Sequence, residues 1–191
     1  IWAIQNADPS FSPNDQFVVF TADRNFEQDI FVHNLKQNTT TNLTGTGVTE
    51  TYPYWSPDGK YIYFTSSRTK PAYPFGMSNA KVYRIALEKV DQPFRADKFD
   101  ELFKKEEKKD TSKTAAKTEP VVKDITIDAE KIMQRTQQIS PDFGSQYGPF
   151  HISQKGDKTT VYYASNHSDG KSALWKTVIE PFEENKRDKI A

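Results

Sequence analysis

Two short stretches of the chain contain residue types that could carry chemistry, and the context of each argues against it. Gly170-Lys171-Ser172 ends like a phosphate-binding loop, but that motif needs a glycine five positions earlier, where Ser165 stands. Ser145 follows a glycine, but a nucleophile elbow needs glycines two positions on either side, where Phe143 and Tyr147 stand. We interpret both stretches as structural turns or connectors.

The three histidines, His33, His151 and His167, are scattered with no i,i+4 pairing and no clustered carboxylates. Such spacing does not predict a shared metal site. Cysteine is absent, which removes disulfides, thiol catalysis and thiolate metal ligands. The sequence therefore predicts no catalytic, cofactor-binding or metal-binding residue, and no cofactor.

A repeated phrase identifies the elements that would have to position any site. Residues 9–21 return as 53–65, with Ser12 and Ser56 44 residues apart, and a weaker third copy covers 149–158 and 161–165. A period of about 40–45 residues is typical of a β-propeller, in which each repeat is one four-stranded blade. We predict an all-β fold of about two to three blades. Since a propeller needs roughly 4–8 blades, we expect the chain to be part of a larger one.

Alternating and β-branched runs predict strands at 17–21, 29–34, 39–43, 61–66, 81–87, 160–165 and 173–178, with 1–5 as the last strand of a preceding blade. The tetrads Ser-Pro-Asn-Asp (12–15) and Ser-Pro-Asp-Gly (56–59) predict hairpin turns between the innermost strand and the next. Gln154 replaces the turn proline in the third copy. The edge partners of that third blade are expected beyond Ala191.

A charged stretch divides the chain into three parts. We predict propeller blades over 1–96, a Lys/Glu-rich insertion over 97–124 and a continuation of the propeller over 125–191. Residues 104–123 contain too little apolar surface to offset the entropy of ordering, so this part is predicted to be flexible. Phe99, Leu102 and Phe103 have the spacing of a short amphipathic helix. A long loop at 67–79 is expected on a propeller face.

Two pairs of side chains recur at equivalent positions of the first two repeats. Arg24 and Arg68 both follow the same strand, near Asp23 and Asp29 in the first repeat and Ser67 in the second. They either tie neighbouring blades by an ion pair or line one propeller face, and we favour the tie. Phe11 and Trp55 both precede a Ser-Pro turn, and we expect both to be buried between blades.

Charge and hydropathy limit the kinds of partner. Lys plus Arg and Asp plus Glu both total 26, so no net field attracts nucleic acid or an anionic membrane. No apolar run approaches the ~20 residues of a membrane span. We therefore expect no nucleic-acid binding and no membrane insertion.

The runs 11–24, 29–32 and 55–68 resemble the WD-type propeller repeat shared by TolB-like proteins and tricorn-type proteases. A narrower resemblance follows strand 82–87, with Pro93-Phe94, the charged insertion and an Ile-Asp-x-x-x-Ile-x-x-Arg run from Ile127 to Arg135. This order is similar to the propeller region of bacterial tricorn-like serine peptidases.

The resemblance implies a non-catalytic propeller fragment that filters or guides peptides to a catalytic core elsewhere in a serine peptidase. A periplasmic or cell-envelope location is implied, with a cytoplasmic one as the alternative, and the parent could be a homo-oligomer. The nucleophile, base and PDZ module of that family lie outside this sequence, so no catalytic residue is carried over. The alternative is a TolB-like envelope propeller that binds a protein and has no enzymatic activity.

Overall fold

The computed structural model describes residues 9–24, 27–69, 77, 79–89 and 124–191. They form three four-stranded antiparallel sheets, as the repeat predicts. The predicted strand at 1–5, most of the loop at 67–79, the helical spacing at 99–103 and the flexible stretch at 104–123 lie outside the described residues. Those interpretations, and the three-part division that depends on them, stay predictions.

Each sheet takes its strands in chain order. The first contains β1 (Ser10–Phe11), β2 (Phe17–Arg24), β3 (Glu27–Asn34) and β4 (Thr39–Asn42). The second contains β5 (Glu50–Trp55), β6 (Tyr61–Ser66), β7 (Lys81–Ala86) and β8 (Thr136–Gln138). The third contains β9 (Gln146–Lys155), β10 (Lys158–Ser165), β11 (Ala173–Ile179) and β12 (Lys186–Lys189). One short 3₁₀ helix, Ile132–Arg135, precedes β8.

The sheets pack face to face in sequence, and the first strand of each lies against its neighbours. Strand β5 contacts β1 on one side and β9 on the other. Because β1, β5 and β9 are edge strands that converge, they form what we call the inner edge of the array. This is the place where the innermost strands of propeller blades meet.

Two hydrophobic cores hold the three sheets together. The first joins the first and second sheets through residues such as Val19, Ile30, Trp55 and Ile85. The second joins the second and third sheets through residues such as Tyr63, Ile152 and Tyr163. Since each sheet contributes alternate residues to both of its faces, the alternating strand patterns of the sequence lead directly to this layered packing.

The turns of the first two repeats share one hydrogen-bond network. The hydroxyls of Ser12 and Ser56 accept from the backbone N–H of Phe17 (3.0 Å) and Tyr61 (2.9 Å). Asp15, at φ +56°, takes the left-handed position that Gly59 fills at +71°. Asn14-Asp15 therefore gives the same turn as Asp58-Gly59, because aspartate tolerates this conformation better than most non-glycine residues.

The third repeat forms a different hairpin. Its strands stay paired as far as Lys155 and Lys158, and a tight turn through Gly156 joins them. Loss of the Ser-Pro turn at Gln154 thus changes the connection. The expectation that the third blade would find its edge partners beyond Ala191 is wrong, because β12 at residues 186–189 pairs with β11 and completes the sheet.

The charged insertion interrupts the second sheet between its third and fourth strands. The chain returns through residues 124–131, where Asp128 N–H donates to the Leu87 carbonyl (2.9 Å). The Arg135 guanidinium then donates to the carbonyls of Ala86 (3.0 Å), Leu87 (3.4 Å) and Asp128. The Ile-Asp-x-x-x-Ile-x-x-Arg run is therefore a clasp that returns the chain to the outer edge of the second sheet.

Candidate functional site

The two motifs whose residue types could carry chemistry lie in connections between strands. Gly170 occupies the turn between β10 and β11, where its N–H donates to the Asn166 carbonyl (3.0 Å), and a strand follows instead of a helix. The Ser145 hydroxyl accepts from the Asn79 N–H (3.1 Å), just before β9 begins. Both residues help to join neighbouring elements.

The histidines lie in separate environments. His33 hydrogen-bonds Thr40 (2.9 Å), and His151 stands beside Tyr162, with ring centroids 5.8 Å apart. His167 contacts the Ser165 hydroxyl through Nδ1 (2.7 Å) and the Trp175 ring at 4.1 Å. Within the described ranges, no three His, Asp or Glu side chains come close enough to hold a metal ion.

The Ser165–His167 contact superficially has the geometry of a nucleophile and its base. Ser165 is buried, however, and its hydroxyl also accepts from Gln146 Nε2 (3.2 Å) and from the His167 N–H (3.3 Å). Burial lowers the pKa of His167, and the cations Arg187 and Lys81 lower it further. The Ser165 hydroxyl, which accepts from the His167 N–H, supports the turn that follows β10.

The aromatic residues before the Ser-Pro turns differ from each other. Trp55 is 3% exposed, packs on Phe17 at 6.3 Å and donates from Nε1 to the Ser10 carbonyl (3.2 Å). Phe11 is 62% exposed, so the prediction that it is buried between blades is wrong. The physical reason is position: Trp55 has the first sheet beside it, whereas no described sheet covers the corresponding side of β1.

Of the two equivalent arginines, Arg68 in the second sheet has a described side chain. The Arg24 side chain lies outside the described part of the chain. Arg68 Nη2 donates to Glu50 Oε1 at 2.5 Å, and its guanidinium lies over the Tyr83 ring at 4.9 Å. The ion pair therefore links β5 to the end of β6 within one sheet. It is not the direct blade-to-blade pair that we favoured, although Glu50 itself faces the first sheet.

Glu50 begins the first of two equivalent junctions between sheets, and Gln146 begins the second. Glu50 pairs with Ser66 in the register of β5 and β6, as Gln146 pairs with Ser165 in that of β9 and β10. Both side chains are fully buried. We call these places the Glu50 junction and the Gln146 junction.

The backbone around the two junctions repeats bond for bond. Ile30 N–H donates to the Thr44 hydroxyl (3.0 Å), and Val82 N–H donates to the Ser140 hydroxyl (2.9 Å). Each hydroxyl belongs to the connection that leads into the next first strand. Sequence reasoning missed both junctions, because the repeat is weakest there; the shared Ser66 and Ser165 at the ends of equivalent strands are the signal that could have found them.

Exposed aromatic side chains lie at the inner edge. Tyr52 is 39% exposed and Phe150 is 51% exposed, and their rings meet edge to face at 6.3 Å. Each lies where the register of its strand shifts, in β5 between Thr51 and Tyr54 and in β9 opposite the step from Tyr162 to Ala164. Such bulges turn side chains away from the regular pleat. The sequence analysis missed this pair, although both aromatics adjoin a proline, Pro53 and Pro149.

Comparison with known proteins identifies the family to which the chain belongs. The family model described as the TolB β-propeller domain matches residues 3–138. The chain belongs to the TolB β-propeller domain family. No curated protein sequence matches the chain. Among the described residues, no helix is long and apolar enough to cross a membrane.

Solved structures agree in fold. TolB from Agrobacterium tumefaciens is similar at 15% identity and a TM-score of 0.52, over 94% of this chain and 46% of that protein. The tricorn protease is similar at 14% identity and a TM-score of 0.54, over 96% of this chain and 18% of that one. The chain thus spans less than half of either relative, and at these identities the likeness concerns the propeller fold.

Proposed function

We propose that this TolB-type propeller region binds extended peptide or protein segments at its inner edge and leaves chemistry to other parts of its parent protein. The observation that carries the proposal is the exposed Tyr52–Phe150 pair, which presents two aromatic rings where the first strands converge. Exposed aromatics held by rigid strands are effective anchors in interfaces, because they bury a large area and lose little conformational entropy.

Within that function, we favour a role in guiding peptides to the core of a tricorn-like serine peptidase. The support is the fold shared with the tricorn protease, together with the insertion and the Ile127-to-Arg135 clasp. The second candidate is a protein-binding propeller of the TolB kind in the cell envelope, which the family match favours. A periplasmic or envelope location belongs to both proposals.

The binding proposal is tested by fluorescence anisotropy with a panel of labelled, unstructured peptides that differ in aromatic content. Replacing both Tyr52 and Phe150 by Ala should weaken the tightest peptide about tenfold or more, as loss of an anchor pair does. Phe182→Ala is the matched control, because Phe182 is as exposed as Tyr52 but lies in the connection between β11 and β12. Equal affinity in all three proteins would contradict binding at the inner edge.

The two candidate roles are separated in the full-length parent. In a peptidase, the parent should cleave peptides and lose that activity when its nucleophilic serine is replaced, while the present region alone shows no cleavage. A parent that cleaves no peptide but retains a protein partner in the envelope would favour the TolB-like role. Neither outcome depends on which inner-edge residues bind.

A further inference from the structure

The Glu50 junction contains a buried acid whose hydrogen bonding is incomplete. Glu50 Oε1 accepts from Arg68 Nη2 (2.5 Å) and from the Ser66 hydroxyl (3.4 Å). Among the described residues, Glu50 Oε2 has no hydrogen-bond partner, although it is shielded from solvent. A buried ionised oxygen without a donor is costly, so the ionised form of this side chain is poorly accommodated.

The charges around Glu50 come from both packed sheets. In its own sheet Arg68 faces it, and in the first sheet Asp29 adds a second, buried carboxylate. Asp29 accepts from Asn42 Nδ2 (2.8 Å), Thr46 N–H (3.1 Å) and the Thr44 hydroxyl (3.4 Å), so its oxygens are well supplied with donors. Glu27 lies further along the same strand, where it accepts from the Thr49 hydroxyl.

At the equivalent position of the Gln146 junction, the oxygen and the nitrogen of the side-chain amide both have hydrogen-bond partners. Gln146 Oε1 accepts from the Ser140 hydroxyl (3.0 Å), while Nε2 donates to the Phe143 carbonyl (2.7 Å) and the Ser165 hydroxyl (3.2 Å). A protonated glutamic acid has the same combination of one acceptor oxygen and one donor group. Protonation would therefore convert Glu50 into a near equivalent of Gln146.

We propose that the Glu50 junction is a proton-linked joint, in which uptake of one proton by Glu50 strengthens the packing of the first sheet on the second. The Gln146 junction has a neutral amide at this position and takes up no proton there. Acid acts on that junction in the opposite direction, because burial lowers the pKa of the adjacent His167 and its protonation therefore opposes folding. Proton uptake by Glu50 is inferred from the surroundings of its own carboxyl group and requires no ligand at the inner edge. Acid is thus expected to strengthen the packing at the Glu50 junction and not at the equivalent Gln146 junction.

Electrostatics agree with the geometry. Burial raises the pKa of Glu50 above its ordinary value of 4.5, and Asp29 adds to the rise, although the Thr44 hydroxyl and the Arg68 guanidinium oppose it. The folded protein then holds a proton at pH values where the unfolded chain has released it. Stability from this group is therefore greatest below about pH 4.5 and falls as pH rises through the folded-state pKa.

Urea unfolding of the chain and of Glu50→Gln across pH 3.5 to 8 tests the joint. The unfolding constant of the natural chain, relative to that of Glu50→Gln, should rise with pH above 4.5, by at most about tenfold per pH unit for one proton. Glu180→Gln is the control of opposite sign, since Lys158 lowers the pKa of Glu180 and its contribution disappears in acid. Parallel curves for the natural chain and Glu50→Gln would overturn the proposal.

A second measurement decides the matter if Glu50→Gln does not fold. Carboxyl ¹³C NMR of the natural chain follows the titration of Glu50 directly. A midpoint above 4.5 supports the joint, whereas a midpoint at or below 4.5 overturns it, because the folded state would then bind the proton no better than the unfolded chain.

Discussion

The Glu50 and Gln146 junctions are two versions of one joint, and they differ in charge more than in backbone. In both, a strand N–H donates to a hydroxyl of the incoming connection, and the first residue of the next inner strand is buried beneath it. The Glu50 junction adds Asp29 and Arg68. The Gln146 junction has Lys81 in the place of Asp29 and His167 in the place of Arg68, with the cation of Lys81 donating to the Gly144 carbonyl.

The difference shows how a repeat fold can vary one joint without disturbing its neighbours. Packing and backbone bonding specify the position, since both junctions rest on continuous apolar cores. The polar side chain is then free to change, provided that its donors and acceptors are satisfied. Of the two junctions, the Glu50 junction is the one where that condition is incompletely met, because Glu50 Oε2 has no hydrogen-bond partner among the described residues.

The largest effect is expected in the apolar core between the first and second sheets. Trp55→Ala should destabilise the chain by about 3–5 kcal/mol, because it leaves a cavity against Phe17. Phe11→Ala is the matched control, and its exposed ring predicts a change within about 0.5 kcal/mol. Urea unfolding monitored by circular dichroism gives both values. Similar losses for the two variants would mean that the Phe11 ring is buried in solution and that the two repeats are packed alike.

Removing the cation of the Glu50 junction should have the next largest effect. Arg68→Ala leaves the buried Glu50 carboxylate without its counter-charge, which we expect to cost about 1–3 kcal/mol at pH 8, since Arg68 is itself partly exposed. The same change in a Glu50→Gln background should cost less than half as much. A double-mutant cycle with equal costs in both backgrounds would show that Arg68 acts through Tyr83 and not through Glu50.

The next variant introduces an acid at the Gln146 junction, where the natural side chain is an uncharged amide. Gln146→Glu removes the amide that donates to the Phe143 carbonyl, so we expect a loss of about 1–2 kcal/mol at pH 8. The loss should shrink at pH 5, where a buried carboxyl can take up a proton. Thermal melts at the two pH values measure this shift, and a loss that grows in acid would contradict it.

The smallest effect is expected far from both junctions. Lys176 and Asp188 form an ion pair of 3.3 Å on the outer strands of the third sheet, and both side chains reach solvent. Asp188→Asn should change stability by less than about 0.5 kcal/mol, and by less still in high salt. An effect as large as that of Arg68→Ala would mean that surface charge, not burial, controls the stability of this fold.

Much of the fold was predictable because each blade repeats its strand and turn chemistry. Alternating residues located the strands between 61 and 86, and the Ser-Pro tetrads located two hairpins, with Asp15 and Gly59 in the same conformation. The third hairpin was less predictable, because Gln154 replaces the proline and β12 is a short, wholly polar strand. Polar outer strands have no hydrophobic pattern to reveal them.

The candidate site was far less predictable than the fold. Tyr52 and Phe150 are adjacent only because two bulged strands converge, and neither the convergence nor the bulges have a local pattern. No local pattern sets Glu50 apart from the other acidic residues of the sequence, and its burial depends on Thr44 and Asp29 from another sheet. Phe11 and Trp55 matched in sequence but not in surroundings. These differences in burial arise from long-range packing, which a single sequence encodes weakly.

The most direct test exchanges the two junctions in one molecule. In the double variant Glu50→Gln/Gln146→Glu, amide hydrogen exchange is measured at Ile30 and Val82, which donate to the equivalent hydroxyls of Thr44 and Ser140. After correction for the intrinsic exchange rate, acid should increase protection at Ile30 in the natural chain and at Val82 in the exchanged variant. Acid-strengthened protection that stays at Ile30 after the exchange would contradict a joint controlled by Glu50.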